Sequence, residues 1–570
     1  MPLIVLQSAR LRRAFVIATS AAIYIAVMLF ATAIEGKPGE SLFCAGMMLA
    51  ITLAMIFVTR RFGVSMLAIA GLVLALRGIS MIKSRYLGAP LLAPDLFYFG
   101  NGDTLDVVAH YPKIWHGVIK KGLAAFVILG LCWVFEDAFW RNWRRSRRWP
   151  MQMLGLLLSV GACFALISPG GPFKRVLAKN EWESLNPGSP LTSFLLSLSR
   201  MHLIIPEFDP AAADRAAWIQ PLAPADASPL PDIVVVLEES TFDPRTLAAC
   251  TIPQCSAAMF DAEPQTAARG ALRVHTFGGG TWNSEFSLFT GLPQTLFGPG
   301  GNYAPYNLAP RMRWSLPKLL KSQGYRTIAI YPMAGNFVNA RRAYAWYGFD
   351  EFHDSAELGL TWASTDLDIE HIFEQLYTKA RSESDRPLFF MLLTMRQHGP
   401  HDLPYSELPE PFDRPLFTAL DEQLNRNMSN YLARLHSSDA ALEKLQRFLF
   451  SGTQPAVLAH FGDHQPSFDG LMLAMERTAA VKAVGRTQEI TYYTLRSNRA
   501  VLEKFDYPIL DIAFLSGLIL DAAAIPKGAF FEANTRFRER CNGHYVDCQD
   551  TRLLESYLSF VFNNLHVIER

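Results

Sequence analysis

Long unbroken apolar runs constrain this chain more than any other feature. Residues 14–34, 41–59, 62–82, 122–135 and 151–168 are almost free of charge, and most are close to the ~20 residues that cross a bilayer as a helix, the fourth being the shortest. In lipid, backbone polar groups must bond within their own segment, so such runs become helices. Arg77 interrupts the third run and is expected to face protein or to snorkel. The arginines also orient the set. Arg10, Arg12 and Arg13 precede the first run, Arg60 and Arg61 separate the second from the third, and Arg141, Arg144, Arg145, Arg147 and Arg148 separate the fourth from the fifth. These loops share one side, and the excess of arginine makes it the cytoplasm. Everything after Pro169 is then expected outside. No small-residue cleavage site follows the first run, so it reads as a retained span.

The 570 residues therefore divide into a transmembrane domain over 1–168, a connector over 169–231 and an exported domain over 232–570. Formal net charge is only +1, and no basic tract marks a nucleic-acid surface. The loop between Lys83 and Lys121 carries aromatics suited to the membrane surface. Within the connector, the apolar segment 191–198 is expected to dock the exported domain against lipid, while "DPAAADRAAW" (209–218) reads equally as a solvated linker. Of seven cysteines, Cys44, Cys132 and Cys163 lie in the apolar runs. The other four form close pairs, Cys250/Cys255 and Cys541/Cys548. Such pairs in an exported domain point to two local disulfides. A zinc site would need all four thiols to converge, and neither pair has CxxC spacing.

From residue 231 the texture changes. "DIVVVL" (232–237), "RTIAIY" (326–331), "PLFFMLLTM" (387–395) and "AVLAHF" (456–461) are continuous apolar runs, as expected of parallel strands covered on both faces. "LPKLLKSQGY" (316–325) reads as a helix ended by Gly324, just before a strand. This alternation predicts an α/β fold with a mostly parallel central sheet, in which ligands bind beyond the carboxyl ends of the strands. The residues found there are Glu238, Glu239 and Ser240; Asn336, Asn339, Arg341 and Arg342; His398 and His401; and Asp463 and His464. A further segment, "GGGTWNSEF" (278–286), strips side chains from the approach to Thr281. Oxygen and imidazole ligands together suit a borderline divalent ion such as Mn²⁺ or Zn²⁺. A threonine hydroxyl on such an ion becomes a usable nucleophile, and a following helix points its positive end at it. Taken singly, the elements read more blandly: a turn for the glycines, a cap for the glutamate, structural roles for His275 and His460.

The ordered set resembles the lipoteichoic acid synthase-like branch of the sulfatase and alkaline phosphatase superfamily. "VVVLEES", "GGGTWNSEF", "FGDHQPS", "TMRQHGPH" and the segment from "LPKLLKSQGY" to "YGFDEF" are similar to that family's motifs, and five spans before an exported domain are its arrangement. The resemblance implies an alkaline phosphatase/sulfatase-like exported domain. It also implies that Glu239, Thr281, Asp463 and His464 hold one divalent metal, with Mn²⁺ the first expectation and Zn²⁺ or Mg²⁺ the alternatives. Thr281 would be the nucleophile. His398 would contact phosphate or assist proton transfer, and Asn339, Arg341 and Arg342 would lie in the substrate-binding segment. The chain departs from the family where Phe-Trp-Asn-Arg is common: it reads Phe337-Val338-Asn339-Ala340, without the tryptophan and with the arginine displaced to Arg341 or Arg342.

The implied reaction moves a phosphoglycerol group from phosphatidylglycerol through a phosphothreonine-type intermediate to an envelope glycan or polyglycerol phosphate. The implied place is the bacterial inner (cytoplasmic) membrane, multi-pass, with the catalytic domain in the periplasm or extracellular space; the paired cysteines favour a periplasm. A phosphoethanolamine transferase acting on an envelope lipid or glycan would use the same metal and threonine. A non-catalytic lipid-binding envelope regulator would not need the full ligand set. A sulfatase would need Cys/Ser-x-Pro-x-Arg, which "TWNSE" lacks.

Overall fold

The computed structural model describes residues 9–100, 102–139, 144–168, 170–177, 188–198, 203, 205–219, 229–499 and 505–570. Arg141 and Pro169 lie outside these residues, as does the side chain of Arg10. The chain divides into two compact units, Met1–His202 and Leu203–Arg570, so the break falls inside the expected connector.

In the first unit, among the described residues, five helices are long and apolar enough to cross a membrane: Leu11–Ala33, Pro38–Thr59, Phe62–Leu87, Ile114–Phe135 and Arg145–Ile167. The fourth and fifth begin earlier than their apolar stretches. Lys120 and Lys121 ended the apolar run in sequence, but as exposed side chains they do not end a helix. Glu136 is buried and accepts from the N–H groups of Gly63 (3.1 Å) and Val64 (2.9 Å), capping the third helix. The Arg77 guanidinium stacks over Phe30 at 4.7 Å, so it faces protein. The short helix Pro190–Ser197 is buried in this unit beside Phe43, Met47 and Val73. The buried carboxylate of Glu35 accepts from Leu191 N and Thr192 N, both at 3.2 Å. This corrects the expectation that the 191–198 segment is a lipid-docking face: Leu191, Phe194, Leu195 and Leu196 are already covered, and of its apolar side chains Leu198 alone is exposed.

The second unit is built on a mixed sheet. In chain order the strands are β1 Asp232–Glu238, β2 Thr266–Arg273, β3 Arg326–Ile330, β4 Glu351–His353, β5 Leu388–Leu393, β6 Ala456–Gly462, β7 Ile490–Ser497 and β8 Leu510–Asp511. Among the described residues the spatial order is β4-β3-β5-β1-β6-β7-β2-β8. The four apolar runs of the sequence are β3, β5, β1 and β6, which pair in parallel at the centre. β7 runs antiparallel to both β6 and β2. On one face lie the helices Asp366–Glu383 and Glu422–Phe450, whose Phe373, Leu432, Leu435 and Leu442 pack with Val234, Val236, Phe390 and Leu458. Each such side chain, fully buried, contributes roughly 1.5–3 kcal/mol. Thr365 and Asp368 form a reciprocal capping box that starts the first of these helices. The "DPAAADRAAW" stretch is no solvated linker. Trp218 is 1% exposed, packs on Phe537 and Tyr557, and donates to Ser556 Oγ at 3.1 Å. Disulfides join Cys250 to Cys255 and Cys541 to Cys548, while Cys44, Cys132 and Cys163 are not bridged.

Candidate active site

Strand register brings the acidic residues together. β1 and β6 are parallel neighbours with Glu238 opposite Gly462, so Glu239 and the Asp463–His464 pair leave the sheet side by side. β5 flanks β1 on its other edge, with Leu393 opposite Leu237, so Thr394 and the loop carrying His398 emerge next to them. Side-chain alternation separates the adjacent glutamates. Glu238 accepts from Thr394 Oγ1 at 3.2 Å, and burial, reinforced by the charge of Asp366, pushes its carboxyl well above the usual range. Glu239 instead accepts from Thr281 Oγ1 at 2.8 Å and from Ser240 Oγ at 3.0 Å.

The glycines deliver Thr281. Gly278 (φ 70°) and Gly280 (φ 89°) take left-handed conformations that favour glycine, and a Cβ on Gly280 would lie 2.8 Å from Thr276 Oγ1. The loop they form rests on the segment after β6: Gly278 N donates to the Gln465 carbonyl at 3.0 Å. Thr281 then opens the helix Thr281–Thr290, with its hydroxyl beside that helix's positive end. Ser284, one turn on, donates to the Asp463 carbonyl at 2.7 Å and ties the helix to β6.

The electrostatics of the cluster are those of a cation site. Asp463 Oδ1 accepts from Ser240 N and His464 N, both at 2.7 Å, whereas Asp463 Oδ2 and His464 Nε2 are buried without a hydrogen-bond partner. His464 Nδ1 sits 3.1 Å from the Gln465 carbonyl, which leaves Nε2 directed inward, 3.3 Å from both Glu239 Oε1 and Asp463 Oδ2. Burial alone would raise Glu239; the His464 and His398 charges and the Thr281 hydrogen bond hold it well below the ordinary carboxylate range. Burial and the charge of Glu239 push Asp463 well above that range. Burial would lower His464, but Asp463 and Glu239 push it up to about 9. Ligand atoms of Glu239, Asp463 and His464 all lie within 4.8 Å of one another. Two carboxylates, an imidazole and a hydroxyl in that space fit one divalent cation. Another acidic group, Glu370, His371 and Glu374, differs: Lys444 Nζ stands 2.7 Å from Glu370 and meets its charge.

The Sulfatase family model matches residues 231–498, which contain every one of these groups. This stretch is a Sulfatase-family domain. An uncharacterized protein of Haemophilus influenzae is 29% identical over 513 residues, covering 85% of this chain and 88% of that protein. Among solved structures, the integral membrane protein lipooligosaccharide phosphoethanolamine transferase A of Neisseria meningitidis aligns with a TM-score of 0.50 at 13% identity, covering 89% of this chain and 98% of its own. The Streptococcus pyogenes phosphoglycerol transferase GacH, in complex with sn-glycerol-1-phosphate, aligns at 0.46 and 17% identity, covering 60% of this chain and 90% of its own. At 13% identity the likeness to the Neisseria structure is one of fold. The Sulfatase domain supports phosphoester-group transfer as the reaction class and a divalent metal as its partner.

The structure gathers Glu239, Thr281, Asp463 and His464 into one cluster and sets His398 within electrostatic reach of Glu239. The residues after β3 are engaged differently. Asn339 Nδ2 donates to the Pro305 carbonyl at 3.1 Å. Arg341 pairs with Asp354 (2.7 Å) and Glu357 (2.6 Å) and lies over Phe352, while Arg342 is exposed. His401 is buried against Tyr431 and Phe468, and His275 meets Asp511 at 2.7 Å. Sequence reasoning gave no role to Thr394, Ser240 or Ser284. Thr394 accepts from Glu239 N at 3.2 Å, and Ser240 holds a left-handed φ of 53° that turns its N–H onto Asp463. Only the serine spacing, one residue after Glu239 and three after Thr281, hinted at them.

Proposed function

We propose that this protein transfers a phosphoglycerol group from phosphatidylglycerol to an envelope glycan or polyglycerol phosphate acceptor, with Thr281 as the nucleophile. The observation that carries the reading is the Thr281 hydroxyl. It is held 2.8 Å from Glu239 at a helix start and stays partly exposed, while the acids and imidazole around it are at most 3% exposed. Glu239, Asp463, His464 and Thr281 would hold the metal, Mn²⁺ by preference. When bound, a divalent ion supplies positive charge that stabilises phosphoryl oxygens and favours the ionised hydroxyl.

Thr281 Oγ attacks phosphorus, and the bond from phosphorus to the diacylglycerol oxygen breaks. The Thr281 proton leaves along its hydrogen bond toward Glu239. His398 gives a proton to the departing diacylglycerol oxygen. Its Nδ1 lies 2.9 Å from the Gly399 carbonyl, which leaves Nε2 for exchange. In the second displacement an acceptor hydroxyl attacks the same phosphorus, the bond from phosphorus to Thr281 Oγ breaks, Thr281 recovers its proton from Glu239 along the same hydrogen bond, and His398 takes the acceptor's proton. The amide groups opening helix Thr281–Thr290 face the developing negative charge. The "TWNSEF" segment supports the glycerol head group, and the arginine pattern supports an extracytoplasmic site, in a periplasm or outside the cell. The five apolar helices would keep the enzyme in the bilayer that contains its donor.

The test uses purified full-length protein with phosphatidylglycerol labelled in the head-group glycerol, and separately with phosphatidylethanolamine. Diacylglycerol release and the mass of the adduct trapped on Thr281 are measured. A phosphoglycerol adduct supports the reading. A phosphoethanolamine adduct moves the protein to that chemistry, and release from neither lipid ends both.

A further inference from the structure

The loop that carries His398 has little regular structure of its own, yet its backbone is held along its length by side chains from two helices. One stripe of the helix Glu422–Phe450 contributes residues 427, 430 and 434, three and four apart and so on one face. Asn427 Nδ2 donates to the His401 carbonyl at 2.7 Å. Asn430 accepts from Leu403 N (3.2 Å) and donates to Leu403 O (3.0 Å). Arg434 donates through Nη1 to the His398 carbonyl and through Nη2 to the Pro400 carbonyl, both at 2.8 Å. From the other side, Asp366 Oδ1 accepts from Met395 N (3.2 Å) and Arg396 N (3.1 Å), and the Trp362 ring meets the His398 ring edge-on at 4.7 Å.

The position of Arg434 differs in kind from the rest. Its planar fork bridges the two carbonyls that flank Gly399, and the Gly399 carbonyl anchors His398 Nδ1 at 2.9 Å. With both neighbours fixed, the carbonyl between them has one direction, and the imidazole bonded to it has one orientation and one tautomer, with Nδ1 as donor. Glycine at 399 would otherwise leave this turn free. We propose that Arg434 is a positioning residue that orients the His398 imidazole through the Gly399 peptide. The inference rests on the proton-transfer role given to His398 above. A lysine at 434 would keep the charge but not the fork, so it cannot bridge two carbonyls in this geometry.

The experiment uses full-length protein in detergent with Arg434→Met, Arg434→Lys, His398→Ala and the double variant Arg434→Met/His398→Ala. Carbethoxylation of His398 by diethyl pyrocarbonate, read by peptide mass spectrometry, reports the imidazole without any turnover. His371, whose side chain is 64% exposed on another helix, is the internal reference. Both Arg434 variants should change the His398 rate about threefold or more relative to His371 once the ring is released. With phosphatidylglycerol, Arg434→Met should lower kcat by about ten- to a hundredfold with little change in KM, since a misplaced group costs transition-state contacts rather than binding. In the His398→Ala background the same substitution should cost almost nothing further, because two residues acting through one group are not additive. An unchanged His398 labelling ratio in both variants overturns the proposal, as does a full additional loss in the double variant. If wild-type protein releases diacylglycerol from neither lipid, the functional reading fails, and the labelling ratio alone decides the clamp. Should Arg434→Met not fold, Arg434→Lys carries both measurements.

Discussion

Buried carboxylates occur in both units, and they are treated in opposite ways. In the membrane unit, each oxygen of Glu35 meets one N–H at the start of the helix Pro190–Ser197, and each oxygen of Glu136 meets one at the start of Phe62–Leu87. Those acids satisfy orphan donors and are satisfied by them. In the Sulfatase domain, Glu239 and Asp463 are turned toward each other and toward His464, and Asp463 Oδ2, 3.3 Å from His464 Nε2, makes no well-formed hydrogen bond. Like charges held together in a dry site are costly unless a cation joins them. Burial of an acid therefore does not mark a functional site; an unmet demand for positive charge does. Glu285 is intermediate. It is buried in the helix Thr281–Thr290, accepts from Tyr344 Oη at 2.8 Å, and burial pushes its carboxyl up to about 7.

The sharpest way to break this contrast is Thr281→Ala. Turnover should fall by roughly 10⁴-fold or more, as when a catalytic nucleophile is removed, with little change in melting temperature. A variant that keeps normal diacylglycerol release would make Thr281 a helix residue and nothing more.

Asp463→Asn should come next. It should lose bound metal, measured by elemental analysis, and lower turnover on the order of 10³-fold, since an amide is a poorer ligand and the metal stabilises the transition state. The contrast adds a sign. In chelator, the variant should melt at or above wild type, because burial and the charge of Glu239 already disfavour an ionised Asp463, while an oxygen remains for Ser240 N and His464 N. A metal-free variant that melts well below wild type would mean that Asp463 is a structural acid like Glu136.

Glu285→Gln tests the intermediate case through pH. The folded value of about 7 lies above the ordinary 4.5, so the stability tied to the protonated form is fully present below pH 4.5. It is lost as pH climbs from there to about 7, by on the order of 3 kcal/mol. Melting curves from pH 4.5 to 8 should therefore fall for wild type relative to Glu285→Gln, which has no such proton to lose. Parallel curves would show that Glu285 is ionised throughout.

The smallest expected effect is in the membrane unit. Glu136→Gln keeps one acceptor and loses the charge facing two helix N–H groups, which should cost about 1 kcal/mol. A thermal melt in detergent reads it. No stability loss would mean the cap is already replaced by solvent or lipid headgroups.

Much of this architecture was legible before any coordinates. Apolar runs announce membrane helices because lipid offers the backbone no alternative partner, and β1, β3, β5 and β6 announce themselves because a central parallel strand is covered on both faces. The strands at the other side of the sheet were not legible. β2 carries Arg269 and Gly270, and the fully buried β7 carries Thr491, Thr494 and Arg496, whose polar atoms find partners such as the Gly462 carbonyl and Glu263 that only folding supplies. The motifs around Glu239, Thr281 and Asp463–His464 could be picked out because each sits at the end of an element with a recognisable period.

Local pattern, then, determined the elements and the residue types at their ends, because periodicity and backbone satisfaction act over a few residues. That Trp218 is core, that the Pro190–Ser197 helix is covered, and that Arg434 reaches across thirty-six residues to the His398 carbonyl were decided by tertiary structure alone. Strand register, side-chain alternation and the meeting of distant backbone carbonyls depend on which segments become neighbours, and no short stretch of chain contains that information.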